Sequence, residues 1–188
     1  MNKQEIPGER VVLRPARIED RRLIYKWLTC SDVAALMNGP PTYPDKPAPT
    51  WDEFRDSYAT HYFDDSAPEL GRCFLIVVDG APVGQVNYND IAEHNGTKRT
   101  ELDIWMSSRE QCGRGYDTDA LETLCRYLAG RFGVREFLVQ PSARNPGAIR
   151  AYESIGFKRI DLSDEAAREA WGPGDYPDSI YMVKAASI

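Results

Sequence analysis

The chain has 188 residues, 42% of them hydrophobic and 28% charged, which fits one α/β domain with a buried core. No apolar run approaches the roughly 20 residues that span a bilayer, and the N-terminal MNKQEIPGERVVLRP lacks the apolar core of a signal peptide, so the expected location is the cytoplasm, away from membranes. The formal net charge of −6 repels a phosphate backbone and attracts a cation, which disfavours nucleic acid as a partner.

In chain order, RVVLRPA from Arg10 alternates and reads as a strand ended by Pro15. Over 18–37, Leu23, Ile24, Trp27 and Leu28 have the spacing of an amphipathic helix, and a shorter helix starts at Ser31 with Val33, Leu36 and Met37 inward. Residues 38–49 hold five prolines and predict a loop. Thr50 with Glu53 makes a capping box and opens a helix presenting Phe54, Tyr58 and Tyr62. CFLIVVDG is a strand ending at an Asp79-Gly80 turn, with its hairpin partner in APVGQVNYNDI. Asn95-Gly96 marks another turn. In RTELDIWMSS, Glu101, Asp103 and Trp105 fall on one strand face and Leu102, Ile104 and Met106 on the other.

From Thr118 the pattern turns helical, with Ala120, Leu121, Leu124, Leu128 and Phe132 on one stripe and Gly133 as the stop. EFLVQ is a short strand. Asn145-Pro146 supplies an N-cap and a first-turn proline to a helix ending at Gly156. FKRIDL and SIYMVKA are two more strands around an acidic insert. Hairpin-joined strands followed by helix-joined strands predict a mixed sheet with helices packed on it, and no repeat or linker divides 1–188, which reads as a single domain. Cys30, Cys73, Cys112 and Cys125 form no CxxC pair, and with only His61 and His94 beside them no metal site is expected. Cys30, Cys73 and Cys125, among apolar neighbours, read as small core residues.

Two segments carry chemistry. Cys112-Gly113-Arg114-Gly115-Tyr116-Asp117 follows a strand and opens a helix. Its glycines permit a tight bend, and the unpaired first-turn amides with the positive end of the helix dipole suit a diphosphate, to which Arg114 adds a charge. The second is NPGAIRAYESIGF: Asn145 and Tyr152 lie seven residues, two helical turns, apart and face the same side.

In this order and separation the two segments resemble the GNAT superfamily of N-acetyltransferases. The glycine turn is similar to its Gln/Arg-x-x-Gly-x-Gly/Ala motif. Asn145, Ala148, Tyr152, Glu153, Gly156 and Phe157 match its Asn-x-x-Ala-x-x-x-Tyr-Glu-x-x-Gly-Phe pattern in full. Within the superfamily the chain looks most like the ribosomal-protein N-terminal acetyltransferases and the bacterial aminoglycoside 6′-N-acetyltransferases. The resemblance implies an α/β (α+β) fold: a mixed, mostly antiparallel twisted sheet of about six or seven strands, splayed at its centre, with helices on both faces. It implies acetyl-coenzyme A as cosubstrate and no metal. Gln111, Cys112, Gly113, Arg114, Gly115, Tyr116, Asp117 and Thr118 would hold the pyrophosphate. Backbone groups of Trp105, Met106 and Ser107 would hold the pantetheine arm, one N–H acting as oxyanion donor. Asn145 and Tyr152 would lie at the sulfur end, with Tyr152 protonating the leaving thiolate. Cys112 and Asp117 depart from the motif. An aspartate there repels a diphosphate or occupies its amides, so weaker coenzyme A binding is expected.

An alkylamine is mostly protonated at neutral pH and must lose a proton before it attacks. Glu101 and Asp103, two residues apart on one face, raise each other's pKa and suit a general base. By the resemblance Asp103 also binds substrate. The acceptor surface is expected from 18–65 and the tail loop, where aromatics such as Trp27 and Tyr62 stand among carboxylates suited to a small cationic amine. A protein N-terminus is the rival acceptor, and a non-catalytic acyl-coenzyme A sensor the rival class. An exposed sheet edge would permit a homodimer.

Overall fold

The computed structural model describes residues 5–160 and 163–186. Asp79 and Gly80 both take positive φ, 50° and 78°, the backbone of a two-residue hairpin turn whose twist suits antiparallel strands. It joins β3 (Arg72–Val78) to β4 (Ala81–Tyr88), and Asn95-Gly96 likewise joins β5 (Ala92–His94) to β6 (Thr97–Met106). With β1 (Ile6–Pro7), β2 (Val12–Pro15), β7 (Glu136–Val139), β8 (Lys158–Arg159) and β9 (Met182–Ala185), they form a nine-stranded sheet in the order β1-β2-β3-β4-β6-β7-β9-β8, with β5 on β6. Among the described residues only the β6–β7 pair is parallel. Both ends of that order are two-residue strands, one holding Pro7 and the other Lys158 and Arg159, features that blunt edge pairing.

Alternation along β3 sends its side chains into two cores. Phe74 and Ile76 join Leu102, Leu121, Leu124 and Ile149, whereas Cys73 and Leu75 join Ile24, Phe54 and Phe63. Helices therefore cover both faces. On the second lie α1 (Arg21–Cys30), α3 (Trp51–Ser57) and α4 (His61–Asp64); on the first lie α5 (Tyr116–Phe132) and α6 (Pro146–Ser154). Among the described residues no helix is long and apolar enough to cross a membrane.

The sheet opens between β6 and β7. Arg99–Glu101 pair with Glu136–Leu138, while Leu102–Met106 pair only with β4 on the other side. β6 runs ten residues and β7 four, and the chain then meets Pro141, which has no N–H to extend the ladder. The splay thus has a local cause.

Several boundaries differ from expectation. The strand count exceeds six or seven because β1, β5 and β8 are pieces of two or three residues. α1 begins only at Arg21 after a 3₁₀ turn, and the short helix is α2 (Ala34–Met37), capped by Ser31, with Ala34 inward and Leu36 46% exposed. The helix after Thr50 breaks at Tyr58 and resumes at His61. α5 starts two residues earlier than Thr118, at Tyr116. Of FKRIDL only Lys158–Arg159 is strand, and Asp161 and Leu162 lie outside the described residues. The acidic insert contains α7 (Asp164–Trp171), capped by Ser163, whose apolar signal is too sparse to read. Cys30 is exposed, because the last turn of α1 carries it past the sheet; Cys73 and Cys125 are buried as expected.

Candidate active site

The half of β6 left unpaired by β7 and the facing half of β4 carry a polar row on the α1–α3 side of the sheet. Gln85, Asn87, Asp103 and Glu101 all point there, because Asn87 pairs with Asp103 and Gln85 with Trp105 in register. The row is hydrogen-bonded end to end. Cys73 donates to Gln85 Oε1 at 3.2 Å, and Gln85 Nε2 donates to the Tyr58 hydroxyl at 3.3 Å. That hydroxyl donates to Asn87 Oδ1 at 3.3 Å, with Asp103 Oδ2 at 3.5 Å. Asn87 Nδ2 reaches Asn89 Oδ1, which also accepts from Tyr62 at 3.0 Å, and Asn89 Nδ2 donates to Glu101 at 3.4 Å.

Burial sets the charge state of this row. It pushes the Glu101 carboxyl up to about 8, with Asp103 and Asp175 adding to the rise. Burial and then Asp175 push Asp103 up to about 6, against Lys46, the Ile104 amide and the Tyr58 hydroxyl, which favour its anion. At neutral pH, Asp103 is therefore ionised and Glu101 protonated. Tyr152, half-buried on α6 with its ring 6.0 Å from Phe157, has its hydroxyl pKa raised by burial and then by Asp103 and Asp117. Tyr152 thus lies within the field of both the β6 carboxylates and the start of α5.

At that start, Gly113 and Gly115 have φ of 70° and 78°, and a side chain at Gly113 would meet nothing within 4 Å. The Asp119 N–H closes the first helical bond on Gly115 at 3.1 Å, leaving the amides of Tyr116, Asp117 and Thr118 as the unpaired first turn. A cleft of about 300 Å³ opens beside them. Arg114 folds back onto Glu110, at 2.8 Å to its carbonyl, whereas Arg10 reaches in from the β1–β2 turn and donates to the Arg114 carbonyl at 3.1 Å. Cys112 is exposed, its thiol donating to Ser108 at 3.5 Å and its pKa raised by burial and by Asp117. Gln111 ends the 3₁₀ turn before it, and the Thr118 hydroxyl donates to Gly115 at 3.1 Å.

Backbone parity along β6 sorts Trp105, Met106 and Ser107 by the side they face. The Ser107 N–H bonds Val83 on β4 at 2.9 Å, and a Cβ on Gly84 would lie 2.7 Å from the Trp105 carbonyl, so both residues turn their backbone toward β4. Alternation then aims the backbone of Ile104 and Met106 into the gap, and that of Trp105 and Ser107 toward β4. Asn145 caps α6, accepting from Ala148 at 3.1 Å, with its Nδ2 against Met37. Trp27 gives its carbonyl to the Trp105 indole at 3.1 Å and packs its ring on the α1-side core, while Tyr62 lies in the polar row.

Three further residues escaped the sequence reading. Asp119 is buried and accepts from the amides of Glu9, Arg10 and Val11 at 3.1, 2.7 and 3.0 Å, clamping the β1–β2 turn beneath the cleft. Arg144 bonds Asp178 at 2.9 Å and Asp45 at 3.0 Å, tying the proline-rich loop to the tail loop. Gln140, 9% exposed at the end of β7, has both amide atoms without a partner. Its signal would have been a polar residue closing an apolar strand.

An open sheet with a carboxylate row beside its gap and a glycine turn at a helix start defines a GNAT-type N-acetyltransferase, which takes its acetyl group from acetyl-coenzyme A. Residues 10–158 match the acetyltransferase (GNAT) domain, and the chain belongs to that family. It is 24% identical over 160 residues to the aminoglycoside N(6′)-acetyltransferase type 1 of Klebsiella pneumoniae, covering 81% of this chain and 76% of the relative. Its fold is similar to that of the aminoglycoside acetyltransferase AAC(6′)-Ib bound to paromomycin and acetyl-coenzyme A (TM-score 0.68, 22% identity, 94% of each chain). It is also similar to the ribosomal L7/L12 α-N-protein acetyltransferase RimL with coenzyme A (0.71, 18%, 97% and 98%). A third similar fold is the spermidine N-acetyltransferase of Vibrio cholerae with coenzyme A and spermine (0.68, 20%, 95% and 97%).

Proposed function

We propose that the chain works as a single domain that acetylates a small cationic amine, with Asp103 as general base and Tyr152 as general acid. The carrying observation is the pair of half-buried carboxylates, Glu101 and Asp103, on the open half of β6 beside the gap. A pair of acids at that depth attracts a cation and keeps one member near neutrality as a proton acceptor. The relatives named for aminoglycosides and for spermidine, both amine acceptors, support the same reading.

The residues present fit a coenzyme A thioester. Gly113, Gly115 and Thr118, at the unpaired start of α5, line the cleft with Arg10, where a diphosphate would lie. The backbone of Ile104 and Met106 borders the gap suited to an amide-bearing arm. Asp117 fits an anion least well, which keeps the expectation of weaker binding. In this reading, Asp103 takes the proton of the incoming ammonium, Glu101 retains its own and holds Asn89, and Tyr152 donates to the departing sulfur. Coenzyme A supplies the activated acyl group. The four free cysteines suit a reducing compartment, so the cytoplasm is the proposed location.

Thiol release measured with a panel of monoamines, polyamines, aminoglycosides and N-terminal peptides tests the proposal. Saturable turnover on a small amine is the expected result. Turnover only on peptides transfers the assignment to a protein N-terminus, and tight acetyl-coenzyme A binding without turnover on any amine makes the chain a sensor.

A further inference from the structure

Resting on that reading, we propose that Lys46 is a specificity-determining residue: its ammonium stands in the acceptor pocket as a resident competitor for a second ammonium of the substrate. The Lys46 Nζ lies 4.0 Å from the centre of the Tyr176 ring, 3.1 Å from the Asp175 carbonyl and 3.4 Å from the Asp175 carboxylate. An aromatic face, a carbonyl and a carboxylate are the three kinds of group that hold an alkylammonium. A cation site is therefore built into the tail loop, and the protein's own side chain fills it.

The presenting loop is held in place. The Gly39 N–H bonds the Lys46 carbonyl at 2.9 Å, the Lys46 N–H bonds Tyr43 at 3.1 Å, and the Tyr43 and Tyr176 rings pack 5.2 Å apart. Asp175 and Tyr176 also line a cavity of about 620 Å³ together with Asp45 and Asp178. Charge links the site to the carboxylate row, because Asp175 raises and Lys46 lowers the Asp103 carboxyl. Nor does the Asp175 side chain need Lys46 for its solvation, because it is 75% exposed while that of Lys46 is only 25% exposed. What the contact achieves is to place a positive charge where a polycation would put one. A monoamine leaves Lys46 where it is; a diamine must displace it or tolerate its repulsion.

The test uses 1-aminopentane and 1,5-diaminopentane as acceptors, read both as KM with acetyl-coenzyme A and as Kd by calorimetry without turnover. Lys46→Met and Lys46→Gln are expected to lower KM and Kd for the diamine about tenfold, ~1.4 kcal/mol. The values for the monoamine, measured at pH 8 so that Asp103 stays ionised once Lys46 no longer favours its anion, should move far less than those for the diamine, and Lys46→Arg should behave as the parent. Equal shifts for the two amines, no shift, weaker diamine binding or no diamine binding to either neutral variant would overturn the inference. Turnover with an unaltered diamine preference removes Lys46 alone. Tighter diamine binding without any turnover removes the catalytic reading and leaves this one standing.

Discussion

Glu101 and Asp103 are neighbours by the two-residue repeat of a strand, yet their environments give them different work. Asp103, raised only to about 6, is an anion at neutral pH and a competent base. Asp103→Asn should lower kcat/KM by about 10²- to 10⁴-fold and abolish the rise in rate with pH through about 6. Initial rates between pH 5 and 8 provide the check. Glu101 makes its mark on stability. Its folded pKa of about 8 exceeds the ordinary 4.5, so the folded state holds a proton that the unfolded chain releases. The stabilisation is complete below pH 4.5 and fades as pH rises through about 8, at no more than ~1.4 kcal/mol per pH unit. Glu101→Gln should flatten that slope, so urea midpoints at pH 5 and pH 8.5 should differ less in the variant than in the parent. Both side chains were legible as a pair; which of them ionises first was not, because that depends on the charge of Asp175 and the hydrogen bond of Tyr58, both distant in sequence.

At the scale of the element, caps and turns were the most readable features. Thr50 with Glu53, Asn145 before Pro146, Gly133, and the Asp79-Gly80 and Asn95-Gly96 turns all stand where the residue types demand them. Asp119 shows the limit of such reading. No local pattern marks it in the sequence; in the structure it binds three amides around β1 and β2. Gly8 admits it, since a Cβ there would lie 2.6 Å from the carboxylate. Asp119→Ala should cost about 2–4 kcal/mol by stranding those donors, measurable as a lowered denaturation midpoint. It should also weaken coenzyme A binding, because Arg10 loses its anchor beside the cleft.

For the whole molecule, two loops without regular structure meet over the carboxylate row. Arg144 joins them, its guanidinium shared between Asp45 and Asp178 and lying 4.4 Å above the Tyr43 ring, while Ser142 supports Asp178 at 2.9 Å. In the proposed reading these contacts order the acceptor side of the pocket and leave the α5 cleft untouched. Arg144→Met should therefore raise KM for the amine severalfold with little change in coenzyme A affinity. Steady-state kinetics with each substrate varied in turn separates the two.

What the chain determined by itself is whatever operates within a few residues: strand alternation, helix stripes, caps, glycine turns, and the pairing of Glu101 with Asp103 on one face. The resemblance carried by the glycine turn and by Asn145 to Phe157 added the family. Tertiary structure alone decided that β6 outruns β7 and leaves a gap, that Ser107 turns its amide toward β4, that Cys30 is exposed, and that Lys46 and Arg144 bring two loops together. Each of these joins groups far apart along the chain. Such contacts have no periodicity to betray them, and burial, which sets the charge of every acid in the site, exists only once the layers have packed.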